Sequence, residues 1–126
     1  MKLRIKGNSI RLRVTPKDLA RLMLQGAIVE FTQFSPNPSN ILCYSLALTD
    51  RQDPNVTFDD GEIRVSLPTD QAYRWAKSEQ VGIEAHKLID NGCKLSVLVE
   101  KDFECLDRND EENEDAFPNP NAGIFC

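Results

Sequence analysis

The chain has 126 residues, a length that suits a single domain able to hide roughly two-thirds of its unfolded surface. Its composition, 40% hydrophobic and 28% charged, is that of an ordinary soluble globular protein, and no apolar run nears the roughly 20 residues a spanning helix needs. A net charge of −5 works against general nucleic-acid binding, because the long-range field repels phosphates.

In chain order, the opening MKLRIKGNSIRLRV predicts a β-hairpin. A two-residue turn at Gly7-Asn8 pairs Ile5 with Ile10 and Leu3 with Leu12 on one apolar face. The other face then carries Lys2, Arg4, Lys6, Arg11 and Arg13, with no acid among residues 1–13. A helix follows: Thr15 fits the N-cap, Pro16 the first helical position, and Asp18 completes a capping-box-like T-x-x-D. Leu19, Leu22 and Met23 form its apolar stripe, and Gly26 is a natural stop. Two strands are expected next, at about 28–34 and 41–49, joined by SPNPSN.

The second half then echoes the first at an offset of 53 residues. Ile10 meets Ile63, Leu12 meets Val65, Val14 meets Leu67, Arg11 meets Arg64, and the turn Gly7-Asn8 meets Asp60-Gly61. The second hairpin pairs Phe58 with Ile63 and Val56 with Val65, and Asp-Gly suits a type I′ turn. Thr69 is placed as the cap of a second helix, whose stripe is Ala72, Trp75 and Ala76. Trp75 reads as a core anchor. Strands at about 81–87 and 94–101, joined by LIDNGC, complete the unit, with the alignment slipping by a residue or two. The expected fold is α+β. It consists of two ββαββ pseudo-repeats, about 2–50 and 55–102, in one domain spanning 1–126. About eight mostly antiparallel strands would form a curved sheet or a partly closed barrel with two helices. Residues 103–126 form an acidic, proline-containing tail outside the repeat.

The two ends of the chain carry a resemblance. MKLRIKGNSIRLRV and VEKDFECLDRNDEENEDAFPNP are similar to a small family of uncharacterised bacterial proteins, a domain of unknown function, over nearly the whole chain. The resemblance implies a bacterial protein and transfers no activity, substrate or catalytic residue.

The sharpest chemical question is what offsets the first hairpin's charge. Its register sets Arg4 opposite Arg11 and Lys2 opposite Arg13, and like charges across a strand pair are destabilising. The second hairpin carries Thr57 opposite Arg64 and Asn55 opposite Ser66 in the same places, so the fold itself does not call for cations. Three answers stand: water with acids from neighbouring strands; the acidic tail, through Asp107, Asp110, Glu111, Glu112, Glu114 and Asp115; or an external anion gripped by arginines.

Other motifs are spare. Cys43, Cys93, Cys105 and Cys126 lack zinc-ligand spacing and read as reduced thiols. His86 is the one histidine in the sequence; a pair with Cys93 or Cys105 has no motif behind it, and a strand-surface role suits it better. Asp107, Asn109 and Glu111 alternate as in a calcium loop, but the obligatory glycine and distal glutamate are missing. Phosphate-cradling glycine loops, G-x-S-x-G and H-E-x-x-H are lacking. The K-L-R-I-K start lacks the glutamates of a triphosphate tunnel. Without a leader-like apolar segment, a cytoplasmic location is expected.

The functional expectation is a non-enzymatic binding domain for a small anionic ligand or protein partner. It would use Lys2, Arg4, Lys6, Arg11 and Arg13, with no cofactor, no membrane and no nucleic acid. The alternative is a metal-dependent enzyme acting on a phosphorylated or other anionic substrate through the hairpin arginines and the carboxylates of 107–115. Self-association through strand edges is a third reading.

Overall fold

The structure, a computed structural model, describes residues 1–103 together with 117 and 118. It is mostly strand, with two helices, in the expected α+β class. The first hairpin joins β1 (Lys2–Lys6) to β2 (Ser9–Val14), with Leu3 opposite Leu12 and Ile5 opposite Ile10 as the apolar alternation predicts. Helix α1 (Pro16–Gln25) starts on a complete capping box. The Asp18 amide donates to Thr15 Oγ1 at 3.1 Å, and the Thr15 amide donates to Asp18 Oδ2 at 3.0 Å. It stops at Gly26, whose amide donates to the Leu22 carbonyl at 2.8 Å. Strands β3 (Ala27–Gln33) and β4 (Ile41–Thr49) follow as an antiparallel pair.

The second hairpin, β5 (Asn55–Asp59) with β6 (Glu62–Pro68), also takes its expected register, Phe58 opposite Ile63 and Val56 opposite Val65. Asp60 and Gly61 both have positive φ, 49° and 75°, as a type I′ turn requires. Helix α2 (Thr69–Lys77) departs from expectation at its start, because Pro68 and not Thr69 is the N-cap residue. Thr69 is already helical, and its hydroxyl donates to the Thr49 carbonyl at 3.1 Å, tying α2 to β4. Strands β7 (Gly82–Asp90) and β8 (Cys93–Lys101) are longer than predicted. The segment LIDNGC is no open loop: Asn91 and Gly92, at φ 39° and 85°, form a tight two-residue turn, as Asp60 and Gly61 do. The register shift between Leu88 and Asp90 explains why alternation hides the end of β7.

The larger correction concerns how the strands assemble. They form neither one curved sheet nor a closed barrel but two four-stranded sheets, ordered β1-β2-β8-β7 (sheet A) and β3-β4-β6-β5 (sheet B). Each sheet is mixed, because β2 runs parallel to β8 and β4 parallel to β6. These parallel joins lie at the sheet centres, between the strands that carry most of the buried residues. Between the sheets, edges meet through side chains in place of a ladder: the Lys87 ammonium donates to the Val56 carbonyl at 2.7 Å.

Under the 53-residue offset, the partner pairing of one sheet reappears in the other. Ile10 stands beside Val97 in sheet A, and Ile63 beside Tyr44 in sheet B. One hydrophobic cluster draws on both sheets and both helices, including Leu12, Val99, Leu46, Val65, Leu22 and Trp75. Trp75 is fully buried, and its indole N–H donates to the Val81 carbonyl at 3.1 Å, so it anchors the core. Among the described residues no helix is long and apolar enough to cross a membrane.

Candidate functional site

The outer face of sheet A collects the basic residues the sequence singles out. Arg4 lies opposite Arg11 and Lys2 opposite Arg13, so all four project from one face, with Lys6 one step nearer the turn. The parallel join carries this face onward: Arg11 sits beside Leu98, and Arg13 beside Glu100. On the far side, β7 adds Glu84 beside Leu98 and His86 beside Ser96.

Glu100 is the first counterpart of the cationic crowd. Its Oε1 lies 2.7 Å from Arg13 Nε and 3.6 Å from Arg11 Nε, with only 15% of the side chain exposed. Asp102, just beyond β8, approaches Lys2 Nζ at 3.5 Å. Acids on the neighbouring strand therefore meet part of the charge. Among the described residues, Arg4 and Lys6 enter no ion pair. No sequence pattern links Arg13 to Glu100, which lies 87 positions away; the pairing exists only once β2 and β8 run parallel.

The acidic residues 107–115, expected as a counterpart or as metal ligands, lie outside the described residues, as do Cys105, Cys126, Ile124 and Phe125. Phe103 and Phe117 form an isolated parallel bridge with ring centroids 6.0 Å apart, and the Phe117 amide donates to the Asp102 carbonyl at 2.7 Å. Phe117 is partly buried against the core. It also stacks beneath Lys101 Nζ, 5.5 Å from the ring centroid. The Lys101 ammonium donates to the Ser78 carbonyl at 2.7 Å, and burial pulls its pKa down against the opposing pull of Glu79.

His86 sits on the strand surface. Its Nδ1 is 3.2 Å from Ser96 Oγ, and Nε2 is 3.5 Å from Glu84, so its neighbours are these two rather than Cys93. Cys43 and Cys93 are free thiols. Burial and the adjacent Glu62 carboxylate push the Cys43 thiol up, the opposite of what a nucleophile needs. Among the described residues, no three His, Cys, Asp or Glu side chains converge as a metal site would require.

A buried charge cluster that the pattern reading missed locks the start of β1. The Met1 ammonium lies 2.8 Å from Asp18 Oδ2 and 3.4 Å from Glu30 Oε1. Burial alone would raise the Asp18 carboxyl, but the ammonium and the Thr15 contacts outweigh it and hold the group below its ordinary value. Burial and then the hydrogen bond to Glu30 push the Tyr44 phenol up. Asp18 was legible as a cap; its second role depends on β1 passing over the helix start.

The outer face of sheet B shows the same backbone with other chemistry. Thr57 faces Arg64 and Asn55 faces Ser66, while Glu62 holds Arg64 at 3.4 Å and accepts from Ser45 Oγ at 3.0 Å. Cations crowd one sheet and not the other.

Comparison with the curated proteins and with the solved structures finds no match. A family model does match, over residues 1–121, and its description is a family of unknown function, DUF7009. The chain belongs to this family.

Proposed function

We propose that the chain is a binding domain without catalytic machinery, and that the outer face of sheet A receives an acidic segment of a protein partner. The observation that carries this reading is the direct opposition of Arg4 and Arg11 beside a Glu100 that Arg13 already engages at 2.7 Å. A carboxylate entering between the two guanidiniums would relieve their repulsion and gain charge-assisted hydrogen bonds. The cations stand in a flat array, about 4.5–5.5 Å apart across the strand pair. That spacing suits charges repeated along an extended chain, and a single small anion would use the same chemistry at one point of it.

We further infer that the halves descend from one ββαββ unit. The recurring 53-residue offset in strand pairing and the interchangeable strand orders support this. On that view the neutral face of sheet B represents what the architecture needs, and the basic face of sheet A is an addition. A bacterial, cytoplasmic setting belongs to the same proposal and suits the free thiols Cys43 and Cys93.

The test uses a fluorescent polyglutamate peptide as probe, titrated at low and at physiological salt. Binding should weaken at least tenfold in an Arg4→Ser/Arg11→Ser double variant and stay unchanged in Arg64→Ser on the other sheet. No binding at low salt, or binding that survives the double substitution, would overturn the reading.

A further inference from the structure

The basic face of sheet A is neutralised at one end and not at the other. Away from the β1–β2 turn, Glu100 lies 2.7 Å from Arg13 and Asp102 lies 3.5 Å from Lys2. Next to the turn, the row that crosses all four strands reads Lys6, Ser9, Ser96 and His86, with no acid in it. Alternation puts this row on the outer face, one step from the row that contains Arg4 and Arg11.

Every member of the row can donate a hydrogen bond, and neighbours stand about 4.8 Å apart across the strands. Among the described residues, the Lys6 ammonium enters no ion pair and the Ser9 hydroxyl no hydrogen bond. His86 Nδ1 lies 3.2 Å from Ser96 Oγ, and Glu84 lies 3.5 Å from Nε2 and holds the ring in place. An arriving anion favours the imidazolium, whose Nδ1–H then donates to Ser96 Oγ and frees the hydroxyl hydrogen for the anion. Arg11 reaches the same spot from two residues along its own strand, its Nε only loosely met by Glu100 at 3.6 Å.

The same row of sheet B has contrary chemistry. It reads Asp59, Glu62, Cys43 and Phe31, two carboxylates followed by a thiol and a phenyl ring. The strand plan therefore does not call for cations and hydroxyls there. A carboxylate, with two oxygens, would leave donors of the sheet A row unused. A phosphoryl group brings three oxygens and nearly two negative charges. In an extended segment lying along the strands, side chains two positions apart are about 6.6–6.8 Å apart, the step between the two rows.

We propose that Lys6, Ser9, Ser96 and His86 receive a phosphorylated serine or threonine, two positions from the carboxylate that enters between Arg4 and Arg11. This rests on the binding reading above and names its partner more closely, as an acidic segment that binds once phosphorylated.

The test compares fluorescent peptides of one sequence by anisotropy, with Glu or phosphoserine two positions from a fixed Glu. The phosphopeptide should bind at least about tenfold more tightly than the Glu peptide. Ser9→Ala/Ser96→Ala removes two hydroxyls and no charge; it should erase that margin while the Glu peptide binds as it does to the native chain. Lys6→Ala, at an exposed position, should cut the margin by itself, so the result does not hang on one variant. Moving the phosphoserine next to the fixed Glu, where it points away from the face, should also lose the margin. Equal binding of the two peptides, both weakened by Arg4→Ser/Arg11→Ser, would overturn the phosphoryl site and leave the acidic-segment reading standing. A margin that survives the loss of both hydroxyls would overturn it too, as would inorganic phosphate that displaces the phosphopeptide as well as unlabelled phosphopeptide does. Binding of neither peptide would overturn both readings.

Discussion

The hairpins β1–β2 and β5–β6 use one backbone plan to present opposite surfaces. Both direct aliphatic residues inward in the same register, and both lead into a helix whose apolar stripe joins one core. Outward, one carries Arg4 against Arg11 and the other Thr57 against Arg64. The inward residues hold the molecule together, and the outward ones are free to diverge. If that division is right, substitutions should sort by the face they touch and not by the half they occupy.

The largest effect is expected at the helix positions related by the offset. Trp75→Ala should cost about 3–5 kcal/mol and Leu22→Ala about 2–5 kcal/mol, both side chains being fully buried. Urea unfolding measures both; a loss in either that matched a surface change would break the division. Next comes a place where equivalent positions of the two sheets carry different residues. A Cβ at Gly82 would come within 2.6 Å of the Val99 carbonyl oxygen, whereas Ala27, paired to Ala47 in sheet B, carries a Cβ already. Gly82→Ala should cost about 1–3 kcal/mol by crowding, and Ala27→Gly should cost less.

The helix starts offer a smaller contrast. Thr15 and Asp18 form a full capping box, while α2 has no side-chain cap. Asp18→Asn should cost about 1 kcal/mol at neutral pH. Because the folded-state pKa of Asp18 lies below its ordinary value, its stabilisation is complete above the unfolded pKa, near 3.9. It is lost as pH falls through the folded value. The variant should therefore show a shallower acid limb in thermal melts from pH 6 downward, and an unchanged limb would refute the assignment. The smallest effect has the opposite sign. Arg4→Ser should raise stability by about 0.2–1 kcal/mol at low salt, with the gain fading at high salt. Arg64→Ser, next to Glu62, should bring no such gain.

Local alternation made both hairpin registers, the α1 box and the basic face readable, since each depends on residues within a dozen positions of one another. The joins were not readable. A period of two says which face a residue takes but not which strand lies alongside, so the parallel neighbours β8 and β6 stayed hidden, and with them the engagement of Arg13 by Glu100. The Asn91-Gly92 turn was a strong signal, masked by the bulge at Leu88–Asp90, which interrupts the alternation leading into it. Ile5 and Phe58 were assigned to the right face, but their exposure follows from where the core stops, which only the packing of both sheets determines.

The order of strands also imposes a timetable on synthesis. Sheet B draws its four strands from one continuous stretch, residues 27–68, whereas sheet A combines the first two strands of the chain with its last two. As the polypeptide leaves the ribosome, sheet B can close while β1–β2 waits with an open edge for residues 93–101. Until β8 arrives, the nascent hairpin holds its five cations without Glu100, so its basic face meets its counter-charge only late in synthesis.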